Sequence, residues 1–121
     1  MQVANSYYAS SLETSPKILI ILLKQEDKIN NKIKLEFNTI LDITNYVSQK
    51  NGNQNIQYKL IGVISHSGDN KNNIQYFAHC LSPIEKKWYT YNDAMVNEID
   101  NFQKNIIDTG FHDILFYKKI E

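Results

Sequence analysis

Tyr58-Lys-Leu-Ile-Gly-Val-Ile-Ser-His66 and Ile74-Gln-Tyr-Phe-Ala-His-Cys-Leu81 are two β-branched and aromatic runs, and the polar stretch Gly68 to Asn73 separates them. That arrangement predicts a β-hairpin. Toward the N-terminus, Pro16 precedes Lys17-Ile-Leu-Ile-Ile-Leu-Leu-Lys24, which is apolar on both faces of an extended chain. Such a run predicts a buried central strand. Between these segments, Ile33, Leu35 and Phe37 alternate with Lys34 and Glu36, as in a half-buried strand. Ile40, Ile43 and Val47 are spaced for one face of a helical turn over residues 39–47. Asn51-Gly-Asn-Gln-Asn55 reads as a solvated turn. Toward the C-terminus, Pro83 breaks the pattern and Lys87-Trp-Tyr-Thr-Tyr91 resumes it as a strand. Ile99, Phe102 and Ile106 then fall at helical spacing within residues 97–107, Gly110 suits a helix stop, and Phe111 to Tyr117 gives a last strand. Residues 1–15 are polar and Ser-rich, an N-terminal arm or a weak first strand ahead of one domain over 16–121. The sum is an α+β domain, a mainly antiparallel β-sheet with one or two short helices, with no repeat and no second domain.

Composition narrows the functions. The chain has 121 residues, 42% of them apolar, enough for a single core. Its 13 basic residues balance 13 acidic ones, and every basic residue is Lys. Without Arg the chain lacks the planar fork that reads phosphate and guanine in two bonds, so no nucleic-acid partner is expected. Neutral balance argues equally against an anionic membrane surface. One Cys allows no internal disulfide, and three separated His beside it make a poor metal set, so neither metal nor cofactor is expected. The longest apolar run, Ile18 to Leu23, falls far short of the roughly 20 residues that span a bilayer. A cytoplasmic or nuclear location is the resulting expectation.

Several blocks, in order, resemble the ubiquitin-specific proteases, the ubiquitin carboxyl-terminal hydrolases of papain-like type. Pro16 to Lys24 resembles that family's Pro, apolar strand and Leu-Lys-Arg-Phe, with Gln25 in place of the Arg. Lys32-Ile-Lys-Leu-Glu-Phe37, Leu41-Asp-Ile43 and Tyr46-Val47 resemble the segment that follows. Tyr58 to Gly68 resembles the strand before the histidine box. Tyr76-Phe-Ala-His-Cys80, Trp88-Tyr-Thr-Tyr-Asn-Asp93 and Val96 resemble the box and its continuation, and Ile114-Leu-Phe-Tyr117 resembles the closing strand. The resemblance implies the palm part of a thiol-dependent ubiquitinyl hydrolase. In such enzymes a Cys attacks the isopeptide carbonyl, a His in a Gly-His-Tyr motif is the base, and a downstream Asn or Asp orients that His. The cysteine box and the helical thumb it begins are expected upstream of residue 1, and the paired Cys of zinc-binding fingers are absent from the sequence. The Gly-His-Tyr motif reads Ile74-Gln75-Tyr76, which puts Gln75 at the position of the base. Asn92 falls at the orienting position with Asp93 beside it. The expectation is therefore a catalytically deficient interaction module with a protein partner, ubiquitin or a larger complex. Two alternatives stand beside it: a piece of a deubiquitinating protease whose Cys box lies elsewhere, and a structural component that reuses the fold.

Each candidate residue has a plainer reading too. A Gln amide takes no proton near neutral pH, so Gln75 is either a spectator on a strand or a hydrogen-bonding group facing a groove. Ile74 replaces a Gly and narrows any channel there, or simply fills the strand. His66 is expected to pair near Gln75, where it is a loop residue, a structural residue or a substitute base. Cys80 is expected beside Ile61, away from His66, and His79 next to it points to the opposite face, so a structural thiol is favoured. Asn92-Asp93 is either the remnant of the triad or an ordinary turn. Trp88, Tyr89 and Tyr91 on one strand and Phe111, Phe116 and Tyr117 on another offer an aromatic interface surface, although aromatics in a small β domain are more often core; the candidate binding residues are Ile74, Gln75, Tyr76, His66 and Trp88.

Overall fold

The computed structural model describes residues 12–23, 37–48, 54–67, 74–108 and 111–121. Among these residues seven strands form one sheet: β1 (Ile18–Leu22), β2 (Ile40–Asp42), β3 (Gln57–Ser67), β4 (Gln75–Leu81), β5 (Trp88–Asn92), β6 (Met95–Ile99) and β7 (Phe111–Lys119). They run in the order β1-β7-β3-β4-β5-β6, with β2 paired to the start of β3. Every pairing is antiparallel. A 3₁₀ turn, Thr44–Tyr46, and a π-helical turn, Gln103–Ile107, are the helical pieces among the described residues. None is long and apolar enough to cross a membrane.

β3 organises the sheet. It pairs with β7 along most of its length and shares its other side between β2 and β4. Two register shifts against β7 fall between Leu60 and Gly62 and between Ile64 and Ser65. Such bulges reverse which side chains face the core. Accordingly Tyr58 and Leu60 are buried before the first shift, and Val63 and Ser65 after it. Gly62 then lies on the opposite face, where a Cβ would come within 3.4 Å of the Phe116 ring. The core covers the first face: Tyr58, Leu60, Val63, Leu115 and Tyr117 of the sheet pack with Ile21, Ile43, Val47, Ile56 and Ile106. Two tyrosine hydroxyls secure its rim. Tyr58 Oη donates to the Pro16 carbonyl and Tyr117 Oη to the Asn38 carbonyl, the latter at 2.7 Å.

Four sequence expectations change. The run Ile18–Leu22 is not a central strand: β1 pairs with β7 alone among the described strands, and Ile18, Ile20 and Leu22 are exposed while Ile21 is buried. Residues 39–47 split into β2 and the 3₁₀ turn, because Asp42 accepts from the Thr44 amide and hydroxyl and ends the strand there. Ile99 belongs to β6, opposite Trp88, and only the residues after Phe102 turn helically. The β3–β4 register is displaced by one residue: Ser67 faces Gln75, His66 faces Tyr76, and Cys80 faces Gly62 instead of Ile61. The half-buried strand around Ile33 and Leu35, the 68–73 loop and the Gly110 stop lie outside the described residues. So does most of the 1–15 arm, but Leu12 forms a parallel bridge with Val47.

One-sided burial sets the response to substitution. Leu60→Ala, at a site 1% exposed, is expected to lower stability by about 2–5 kcal/mol, whereas Leu22→Ala, 65% exposed, costs under about 1 kcal/mol. Urea denaturation of both variants checks this, and equal losses would contradict the placement of the core.

Candidate functional site

Ile74, Gln75 and Tyr76 open β4, and Asn92 closes β5 on the neighbouring strand. Alternation places Gln75, Phe77 and His79 on the core-side face of the sheet. The pairing of Ala78 with Tyr91 carries Asn92 alongside Phe77, on that same face. Gln75 is exposed and Asn92 half-buried, and among the described residues no hydrogen bond joins them. Asp93 follows in the two-residue β5–β6 loop with φ of 52°, a left-handed conformation that Asp tolerates better than most residues. That loop position is a turn function in its own right. Ile74 and Tyr76 are exposed beside Gln75. Trp88 lies at the far end of β5, opposite Leu81 and Ile99, with its ring 4.7 Å from that of Phe102. It is a half-buried packing residue away from the Gln75 end.

His66 does not share the face of Gln75. Its partner is Tyr76, so its imidazole lies on the opposite face, stacked on Phe111 at 5.4 Å between ring centroids. Its Nδ1 is 2.7 Å from the Asp113 carboxylate. The residue across from Gln75 is Ser67. Cys80 is exposed, but the surrounding strands desolvate it and push its thiol up from the usual value. It therefore stays protonated near neutral pH and is a poor nucleophile.

The other two imidazoles occupy the core-side face, and the sequence reading missed what they do. His79 Nδ1 bonds Thr90 Oγ1 at 2.8 Å across β4 and β5. His112 Nε2 donates to the Ile107 carbonyl at 3.2 Å, so its Nδ1 is the acceptor for the Ser65 hydroxyl at 2.8 Å. This bond ties β3, β7 and the π-helical turn together. Burial pushes His79 down to about 4, and the nearby His112 adds to the shift. Burial lowers His112 as well, against smaller opposing effects of the Ile107 carbonyl and Asp113. Both rings are neutral at pH 7, but both are inside the structure with Nδ1 already engaged. Beside them a cavity of about 280 Å³ is lined by Ser65, His66, Ser67, Phe77, His79, Thr90 and Asn105. Its walls offer hydroxyl, amide and imidazole groups. Among the described residues no three His, Cys, Asp or Glu come together to hold a metal ion. The signal available in sequence was His112-Asp113, two polar residues inside an otherwise apolar strand.

The ubiquitin carboxyl-terminal hydrolase family model matches residues 5–117. The chain belongs to that family. It is 30% identical over 112 residues to ubiquitin carboxyl-terminal hydrolase 25 of Arabidopsis thaliana, covering 90% of this chain and 16% of that protein. It is 32% identical over 114 residues to ubiquitin carboxyl-terminal hydrolase 2 of Bos taurus, covering 89% and 18%. Among solved structures, a chain of the Ubp8-Sgf11-Sgf73-Sus1 SAGA DUB module superposes with a TM-score of 0.72 at 30% identity, covering 92% of this chain and 26% of that one. A form of this module bound to ubiquitin aldehyde gives a TM-score of 0.69 at 31% identity, covering 88% and 25%. The chain thus spans under a third of these hydrolases, with the mainly antiparallel sheet of the family.

His79 gives a pH test with a definite sign. Its folded value of about 4 lies below its ordinary 6.5, so the unfolded chain binds the extra proton first. This contribution to stability is complete above about pH 6.5 and is lost as pH falls through about 4. Denaturation at pH 7 and pH 4.5 is expected to differ by on the order of 2–3 kcal/mol more in wild type than in His79→Gln. Parallel pH profiles for the two proteins would refute it.

Proposed function

We propose that this chain is a ubiquitin-protease-like interaction module that has lost hydrolytic chemistry and kept the recognition of a protein partner, ubiquitin first among the candidates. The observation that carries the proposal is Gln75. It stands at the base position of the histidine box, exposed, at the end of β4 that Asn92 approaches. An amide donates and accepts hydrogen bonds but cannot draw a proton from a thiol. No imidazole replaces it: His79 and His112 are buried and bonded to Thr90 and Ser65, and His66 sits on the other face with Asp113. A nucleophilic Cys supplied from elsewhere would still lack a base here. This weighs against the reading of the chain as a working piece of a longer deubiquitinase, although its span of about a quarter of the solved hydrolase chains is what that reading expects. The exposed trio Ile74, Gln75 and Tyr76 supports recognition, since it leaves apolar and amide surface available. A cytoplasmic or nuclear setting fits such a role.

Two measurements test the proposal. A thiol-reactive ubiquitin probe is expected to leave the protein unlabelled, and a covalent adduct on Cys80 would overturn the loss of chemistry. Labelled ubiquitin, as monomer and as chains, is expected to bind saturably and to bind at least about tenfold more weakly after Gln75→Ala and Tyr76→Ala, a change of about 1.4 kcal/mol. Absence of binding at high micromolar concentration would transfer the function to the structural reading, in which the fold serves a larger assembly.

A further inference from the structure

The segment that leads into β1 carries chemistry that recognition at Gln75 does not use. Residues 12–17 form a strap held at both ends by backbone bonds. The Leu12 N–H donates to the Tyr46 carbonyl at 2.7 Å and the Ser48 N–H to the Leu12 carbonyl at 2.8 Å, while at the other end the Lys119 N–H donates to the Lys17 carbonyl at 2.9 Å. The Tyr58 hydroxyl holds the Pro16 carbonyl as well. Between these ties lies Ser15-Pro16, outside every strand and helical turn, with Glu13, Thr14, Pro16 and Lys17 exposed and Ser15 half-buried. A residue before proline is kept out of the helical region and held extended. The strap therefore presents a serine hydroxyl on extended backbone, followed by a residue without an amide proton. Proline-directed protein kinases act on that pattern.

A cation stands beside that hydroxyl. Lys119 closes β7, and its Nζ donates to Ser15 Oγ at 2.8 Å. Ser15 Oγ accepts this bond, which leaves its own proton for a transfer. Glu13 lies two residues before Ser15 and Glu121 two after Lys119, yet among the described residues no carboxylate pairs with the half-buried Lys119 ammonium. A partly desolvated ammonium bonded to a neutral hydroxyl gains from an anion in its place. Lys17, exposed and the backbone partner of Lys119, adds a second positive charge to the same short stretch. We propose that Ser15 is a phosphorylation site for a proline-directed kinase, and that the phosphate, met by Lys119, locks the strap onto β7. In the transfer, Ser15 Oγ attacks the γ-phosphorus of ATP. The new Oγ–P bond forms as the bond to the β,γ-bridging oxygen breaks, ADP leaves with that electron pair, and the hydroxyl proton passes to the kinase's base. The product carries a charge of about −1.5 to −2 at pH 7 and strong acceptor oxygens for the ammonium.

The test incubates the whole chain with Mg-ATP and either a cyclin-dependent or a mitogen-activated kinase, and mass spectrometry locates the phosphate. Phosphate is expected on Ser15, and the corresponding peptide of Ser15→Ala is expected to stay unmodified. Urea denaturation then compares the modified and unmodified chains. Phosphorylation is expected to raise the folding equilibrium constant at least about fivefold in wild type and in Lys119→Arg, and to change it less than about twofold in Lys119→Gln. The wild-type gain gives a second readout that needs no variant, since a lock made by ion pairing shrinks at high salt. No phosphate on Ser15 with either kinase overturns the site. A phosphorylated chain that is no more stable, a gain of equal size in Lys119→Gln, or a gain indifferent to salt overturns the lock.

Discussion

The pairing of β3 with β7 is the constraint from which the remaining structure follows. β3 has β7 on one side and shares its other side between β2 and β4, and its two irregularities against β7 decide which side chains enter the core. Without the shift between Leu60 and Gly62, the side chains that follow would keep the parity of Tyr58 and Leu60. Val63 and Ser65 would then turn outward. A displacement of one residue exchanges the faces of every residue beyond it. The core, the buried Ser65–His112 bond and the outward position of His66 all depend on that local geometry. So does the small residue at 62, which lets the Phe116 ring lie across the strand.

Much of this architecture was legible in sequence, and the misses share a cause. β3, β4, β5 and β7 announce themselves through β-branched and aromatic runs, and the order of the family blocks fixed the chain's kinship. What local pattern does not record is how many neighbours a strand has. Ile18 to Leu22 is apolar enough for the centre of a sheet, yet among the described strands it touches only β7, so half of its apolar surface faces outward. The spacing of Ile99, Phe102 and Ile106 imitates a helix because a strand end and a π-helical turn contribute its members separately. The pairings Ser65–His112 and His66–Asp113 join residues 47 apart in sequence, and no periodicity reports such contacts.

At the candidate site the structure places Gln75 at the exposed start of β4 and commits the three imidazoles elsewhere. Three imidazoles lie within a few residues of Gln75 in strand register, yet each is committed. Two stabilise the interior as neutral hydrogen-bonding rings, and the third forms a surface pair with a carboxylate. An enzyme of this type needs an imidazole that is accessible and oriented at the same time. Here the oriented rings are inaccessible, and the accessible end of β4 carries an amide.

The pairing of β1 with β7 also bears on how the chain reaches this structure. Among the described residues, 18–22 pair only with 114–118, near the other end of the sequence. β3 likewise waits for β7 on one of its sides. Contacts of such long sequence separation form slowly, because loop closure must precede any gain from pairing. During synthesis the first apolar strand therefore emerges long before the strand that shields it. For that interval it depends on its flanking lysines, Lys17 and Lys24, and on whatever binds nascent chains to stay out of aggregates.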